Sequence, residues 1–131
     1  MNYYFLTLLK NITFDDAIEK TKDALKEEGF GVLTEIDMKS TLKKKINVDF
    51  HNYKILGACN PTFAYEAIQK EDKIGIMLPC NVIVQEREKG VIEIAAVNPI
   101  ASMQAIKNEA LMEVSKLVKE KLERVIQNLG S

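Results

Sequence analysis

Residues 82–97 read VIVQEREKGVIEIAAV: two apolar runs, Val82–Gln85 and Val91–Val97, joined by a charged turn, Glu86–Gly90, that ends in glycine. Two such runs with so short a glycine-containing connection form a hairpin, and a hairpin pairs its strands antiparallel. A doubly wound parallel sheet would instead need helix and strand to alternate throughout. The hairpin therefore predicts an antiparallel or mixed sheet.

Working toward the N-terminus, a further apolar run, Ile74–Leu78, is separated from Val82 by Pro79, which removes a ladder donor and marks an edge, bulge or bend. Tyr53–Cys59 reads as a strand. It runs into Asn60-Pro61, an N-cap followed by proline at the first helical position, so a short helix is expected to about Lys70. Gly31–Ile36 reads as another strand, and Asp37 as the cap of a short helix on which Leu42 and Ile46 share a face. Asn2–Leu9 is the first strand. Thr13 with Asp16 forms a capping box for a helix carrying Ala17, Ile18, Thr21, Ala24 and Leu25 on one face, and Gly29 ends it.

Working toward the C-terminus, after Pro99 the chain turns into a long helix in which Leu111, Val114, Val118, Leu122, Val125 and Leu129 keep helical spacing, Glu120 stands four residues before Arg124, and Gly130 is the stop. The expected architecture is α+β, β-α-β(4)-α, with helices on one face of the sheet and two short helical insertions, in a single domain over residues 1–131. At 131 residues such a domain buries roughly two-thirds of its unfolded surface, enough for one core.

Charge narrows the function classes. Eighteen basic and nineteen acidic side chains leave a formal charge of -1, with no overall field to gather nucleic acid or an anionic membrane. No apolar run approaches the roughly 20 residues a spanning helix needs, and Met1–Lys10 lacks the basic region and cleavage site of a signal peptide, so a cytoplasmic protein is expected. Lys39, Lys43, Lys44 and Lys45 read as a solvated helix face.

Catalytic signatures are missing in the places chemistry would need them. The single histidine, His51, has no nucleophile elbow to serve, and Gly29-Phe30-Gly31 lacks the rest of a phosphate-binding loop. The carboxylate pairs Asp15/Asp16, Glu27/Glu28 and Glu71/Asp72 fall at helix ends or turns, where solvation is expected. Tyr3, Tyr4 and Tyr53 lie on strands without a basic platform for stacking bases.

Two stretches remain, Gly57-Ala58-Cys59-Asn60-Pro61 and Leu78-Pro79-Cys80-Asn81, each placing cysteine, asparagine and proline where an apolar strand is broken. Together with Tyr53–Leu56, Ala64, Ala67, Gly75, Val82, Val84 and Asn98-Pro99, they make the chain resemble the bacterial and archaeal family called domain of unknown function 302 over nearly its whole length. Asn98 stands where the family has an acidic residue before proline. The resemblance implies a TATA-binding-protein-like α+β fold and often a homodimer. It implies no activity.

The candidate ligand-binding residues are Cys59, Asn60, Pro61, Pro79, Cys80 and Asn81, in a small-ligand-binding or accessory module rather than an enzyme. Three alternatives use the same residues. Cys59 and Cys80 could ligate zinc or copper, though two thiolates leave a four-ligand set incomplete. They could form a thiol-dependent catalytic or redox-sensing centre. They could also be small buried hydrophobes, with Asn60 and Asn81 capping backbone groups. No cofactor is specified by any motif, and the catalytic residues, if any exist, are not identifiable from spacing.

Overall fold

The computed structural model describes residues 2–130. In chain order its elements are β1 (Tyr4–Lys10), α1 (Phe14–Glu27), β2 (Gly31–Asp37), α2 (Met38–Ile46), β3 (Asn52–Cys59), α3 (Pro61–Lys70), a 3-10 helix (Asp72–Met77), β4 (Cys80–Glu88), β5 (Val91–Val97), α4 (Pro99–Ser102) and α5 (Ala110–Gly130). The strands form one sheet in the order β1-β5-β4-β3-β2, and every neighbouring pair is antiparallel. The fold is α+β: β2 to β5 make a meander, and α1 carries the chain from β1, beside β5, to β2 at the opposite edge.

Local chemistry sets the boundaries. Thr13 Oγ1 accepts the Asp16 N–H at 3.1 Å and caps α1. At the other end Gly29 takes φ +87°, where a Cβ would be strained, and the Phe30 N–H reaches back to the Leu25 carbonyl at 2.9 Å. Asp37 accepts the Ser40 N–H at 3.0 Å and starts α2. In the β4–β5 turn the Glu86 carboxylate accepts the Gly90 N–H at 2.9 Å, and with Asn52 this holds its pKa below the ordinary value.

Strand alternation sorts the sheet into two faces. Leu56 and Ala58, Val82 and Val84, and Ile92, Ile94 and Ala96 point toward the helices and are buried. Against them α1 places Ala17, Ile18 and Leu25, and α5 places Leu111, Val114, Val118, Leu122, Val125 and Leu129. These residues form one continuous core.

Three local expectations are corrected. Ile74–Leu78 is not a strand: Asp72–Met77 is a 3-10 helix, with Ile74 buried and Ile76 82% exposed, and the Leu78–Pro79 bond is cis. The long helix begins at Ala110 rather than directly after Pro99. Asn98 caps only the short α4, and Asn108 caps α5 through the Ala110 N–H at 3.1 Å while its amide donates to the Lys70 carbonyl at 2.9 Å. Arg124 pairs with Glu28 at 3.0 Å instead of Glu120, which ties α5 to the end of α1. On α2 no residue is fully buried, and Ile46 is exposed. Gly130 lies within the last turn of α5, where a Cβ would stand 2.7 Å from Thr7 Oγ1 on β1, so it allows a close approach.

Candidate functional site

β3 and β4 run side by side with Ala58 opposite Cys80, so the two Cys-Asn segments meet at one end of the sheet. There the strands stop. Asn60 caps α3 by accepting the Phe63 N–H at 3.4 Å, and the side chains of Phe63, Ala64 and Ala67 turn back over the strand ends. The 3-10 helix and the bend after it add Ile74, Leu78 and Pro79. From the other side α4 brings Pro99, and α5 brings Leu111, Val114, Ser115 and Val118, with Met103 between the two helices.

These elements line a half-open cavity of about 50 Å³. Protein interiors seldom leave voids larger than a water molecule. A water would need about 10–15 Å³ of such space together with two to four polar partners, and the lining is almost wholly apolar. The half-buried members Asn60, Phe63, Ala64, Pro79 and Met103 lie toward solvent, whereas Ala58, Ile74, Leu111 and Val118 close the inner wall.

Cys59 and Cys80 are both free thiols, half-buried, and both line this cavity. Burial pushes the Cys80 pKa up to about 11, and the neighbouring Cys59 adds to the rise. Cys80 is therefore a protonated thiol at neutral pH, unlike the thiolate that a nucleophile needs. The sign of the linkage is fixed. The folded pKa lies above the unperturbed thiol value of 9.0, so this group's contribution to stability is complete below about pH 9 and is lost as pH rises toward 11. Denaturation midpoints measured between pH 8 and 11 should fall more steeply for the wild type than for Cys80→Ala; equal slopes would remove this assignment.

Four of the six sequence-selected residues converge: Cys59, Asn60, Pro79 and Cys80 line the cavity. The other two do not. Pro61 is exposed at the start of α3, and Asn81 points to the opposite face of the sheet, in a shallow groove with Tyr53 and Glu93. Among the described residues no group of three or more His, Cys, Asp or Glu side chains comes together to hold a metal, so the two sulfurs have no further ligand of those types from this chain. His51 is engaged elsewhere, Nε2 lying 2.9 Å from Gln85 Oε1 while Gln85 donates to Glu93 at 3.0 Å.

Spacing did not reveal Phe63, Met103 and Ser115. Ser115 was hidden because it falls between the apolar positions Val114 and Val118, and only the rotation of α5 against α3 shows that it faces the cavity. Asn98 is placed plainly: 6% exposed, it caps α4 through the Ile100 N–H at 3.1 Å, and its amide donates to the Asn2 carbonyl at 3.2 Å. A carboxylate there could accept the first bond but could not donate the second.

No helix among the described residues is long and apolar enough to cross a membrane. No curated protein matches the chain significantly. The chain is similar to an uncharacterized conserved protein DUF302 from Bacillus stearothermophilus, known from a crystal structure, with 25% identity, a TM-score of 0.88 and coverage of 100% of both chains. The family model described as "Domain of unknown function DUF302" matches residues 6–129. With that match running from within β1 to the last turn of α5, the chain belongs to the DUF302 family.

Proposed function

We propose that this domain binds a small uncharged apolar ligand, or the apolar end of a larger one, in the cavity between α3 and α5. The observation that carries this reading is the convergence of Cys59, Asn60, Pro79 and Cys80 on an apolar cavity near the surface. An apolar cavity of about 150 Å³ is large enough for benzene, so 50 Å³ accepts a smaller group or the tip of a chain. The thiols serve as polarizable apolar wall, since a protonated Cys80 neither attacks an electrophile nor attracts an anion.

The test uses 1-hexanol as probe together with a native mass spectrum of tag-free protein purified under reducing conditions. A ligand at about ten times its Kd stabilises the folded state by roughly 1.4 kcal/mol, a rise in Tm of several degrees for a domain of this size. Wild type should show that rise. Ala64→Leu, which places three more carbons in the cavity, should fold normally and lose it. An unshifted wild-type Tm, with no mass lost on denaturation, would leave the cavity a packing gap and the cysteines purely structural.

A further inference from the structure

The face of the sheet turned away from α1 and α5 departs from the usual pattern. Antiparallel sheets with one covered face carry polar residues on the other. Here the register lines up Ile36 with Ile55, Ile55 with Ile83, Ile83 with Ala95, and Ala95 with Leu6. One apolar row thus crosses all five strands on the uncovered face. Its two ends, Ile36 and Leu6, are each 45% exposed. Beside it runs a second row, Tyr53, Gln85, Glu93 and Leu8, in which Glu93 is the one charged side chain.

The sequence of sizes along the apolar row is what identifies its occupant. β4 is the middle strand, with β3 and β2 on one side and β5 and β1 on the other. A two-fold axis lying in the plane of contact and running along β4 stacks each row on its own copy. It sets Ile83 against Ile83, large Ile55 against small Ala95, and Ile36 against Leu6. In the second row the same operation sets the Tyr53 hydroxyl opposite the Glu93 carboxylate and Gln85 opposite Gln85. Self-complementarity of this kind is the requirement of an isologous dimer.

We propose that this face is the contact surface between two copies of the chain. Five strands at about 4.8 Å and seven residues at about 3.3 Å give a flat face of roughly 24 by 23 Å, or roughly 1,100 Å² for the pair before the relief of the side chains is counted. That reaches the lower limit, about 1,000–1,200 Å², of specific interfaces. Gln85, 8% exposed in the single chain, is already bonded within it: its Oε1 lies 2.9 Å from His51 Nε2 and its amide donates to Glu93 at 3.0 Å. A nucleic acid is a poor occupant for a face whose central charge is a carboxylate.

Sedimentation velocity from about 1 to 100 µM, with native mass spectrometry, tests the assignment. Wild type should carry twice the chain mass. Ile83→Asp places two carboxylates against each other at the axis and should weaken association at least about 100-fold. Leu6→Lys, at a position 45% exposed in the single chain, should do the same if Ile83→Asp misfolds. Tyr53→Phe should weaken association about 10-fold with unchanged circular dichroism. Three results would overturn the proposal: a wild-type monomer at 100 µM, a dimer indifferent to Leu6→Lys and Tyr53→Phe, or a monomer carrying a different co-purified protein.

Discussion

Leu122→Ala should lower the unfolding free energy by about 3–4 kcal/mol and the melting temperature by roughly 10–20 °C. Leu122 is completely buried on α5, in the cluster that joins both long helices to β5 and β4. Removing three carbons there loses their transfer free energy and leaves a void, because neighbours such as Ile92, Ile94 and Val125 are themselves held by strand pairing or helix geometry. Lys116→Ala on the exposed side of the same helix is the control and should change stability by less than about 0.5 kcal/mol. Urea denaturation followed by circular dichroism measures both. A Leu122→Ala loss below about 1 kcal/mol would mean that α5 does not pack as described.

The second large effect is expected at Gly57. Valine is favoured in strands, so propensity alone predicts that Gly57→Val stabilises β3. Geometry predicts the reverse. A Cβ at this buried position would run into Thr34 Oγ1 on β2 and stand 2.8 Å from Pro79 Cγ. Overpacking of that kind costs about 1–3 kcal/mol, with valine's two further methyls placing it at the upper end. Because Pro79 lines the cavity, any shift that relieves the clash also moves that wall, so Gly57→Val should lose 1-hexanol stabilisation as well as stability. Combining Gly57→Ala with Thr34→Ala should recover part of the loss, since the nearest obstructing atom is then gone. Stabilisation by Gly57→Val in thermal melts would show that the close approach at this point is not real.

How much of this was legible in the sequence depends on the range of the interactions involved. Thr13, Asp37 and Asn60 act on backbone three residues away, and all three caps are found where the sequence placed them. The hairpin was equally local. Ile74–Leu78 misled because a short apolar run is compatible with either period, and only tertiary contact fixes Ile74 inside and Ile76 outside. The break before α5 misled for a related reason: Asn108 ends one segment and starts another by bonding to Lys70 and Glu71, partners invisible from position 108 alone.

The site shows the same division. Cys59 and Cys80 were found because strand breaks stand out locally, and their meeting follows once β3 and β4 pair. Pro61 and Asn81 were grouped with them by proximity along the chain, yet Pro61 is exposed on the first turn of α3, and one residue's step along β4 turns Asn81 to the other face. The uncovered apolar row could not be read at all. Its five members come from five strands spread between Leu6 and Ala95, and only the register assembles them.

The pairing of β1 with β5 also bears on how the chain is made. Tyr4 finds its partner 93 residues later, at Val97, and until that point is synthesised the first strand has no edge to join. The meander from β2 to β5 needs only neighbouring connections, so it can assemble while β1 waits. Leu6 and Leu8, with Tyr3 and Tyr4 beside them, thus spend most of translation as an unsatisfied strand on the nascent polypeptide. An unpaired strand with exposed apolar side chains is a route to aggregation until β5 arrives to pair with it.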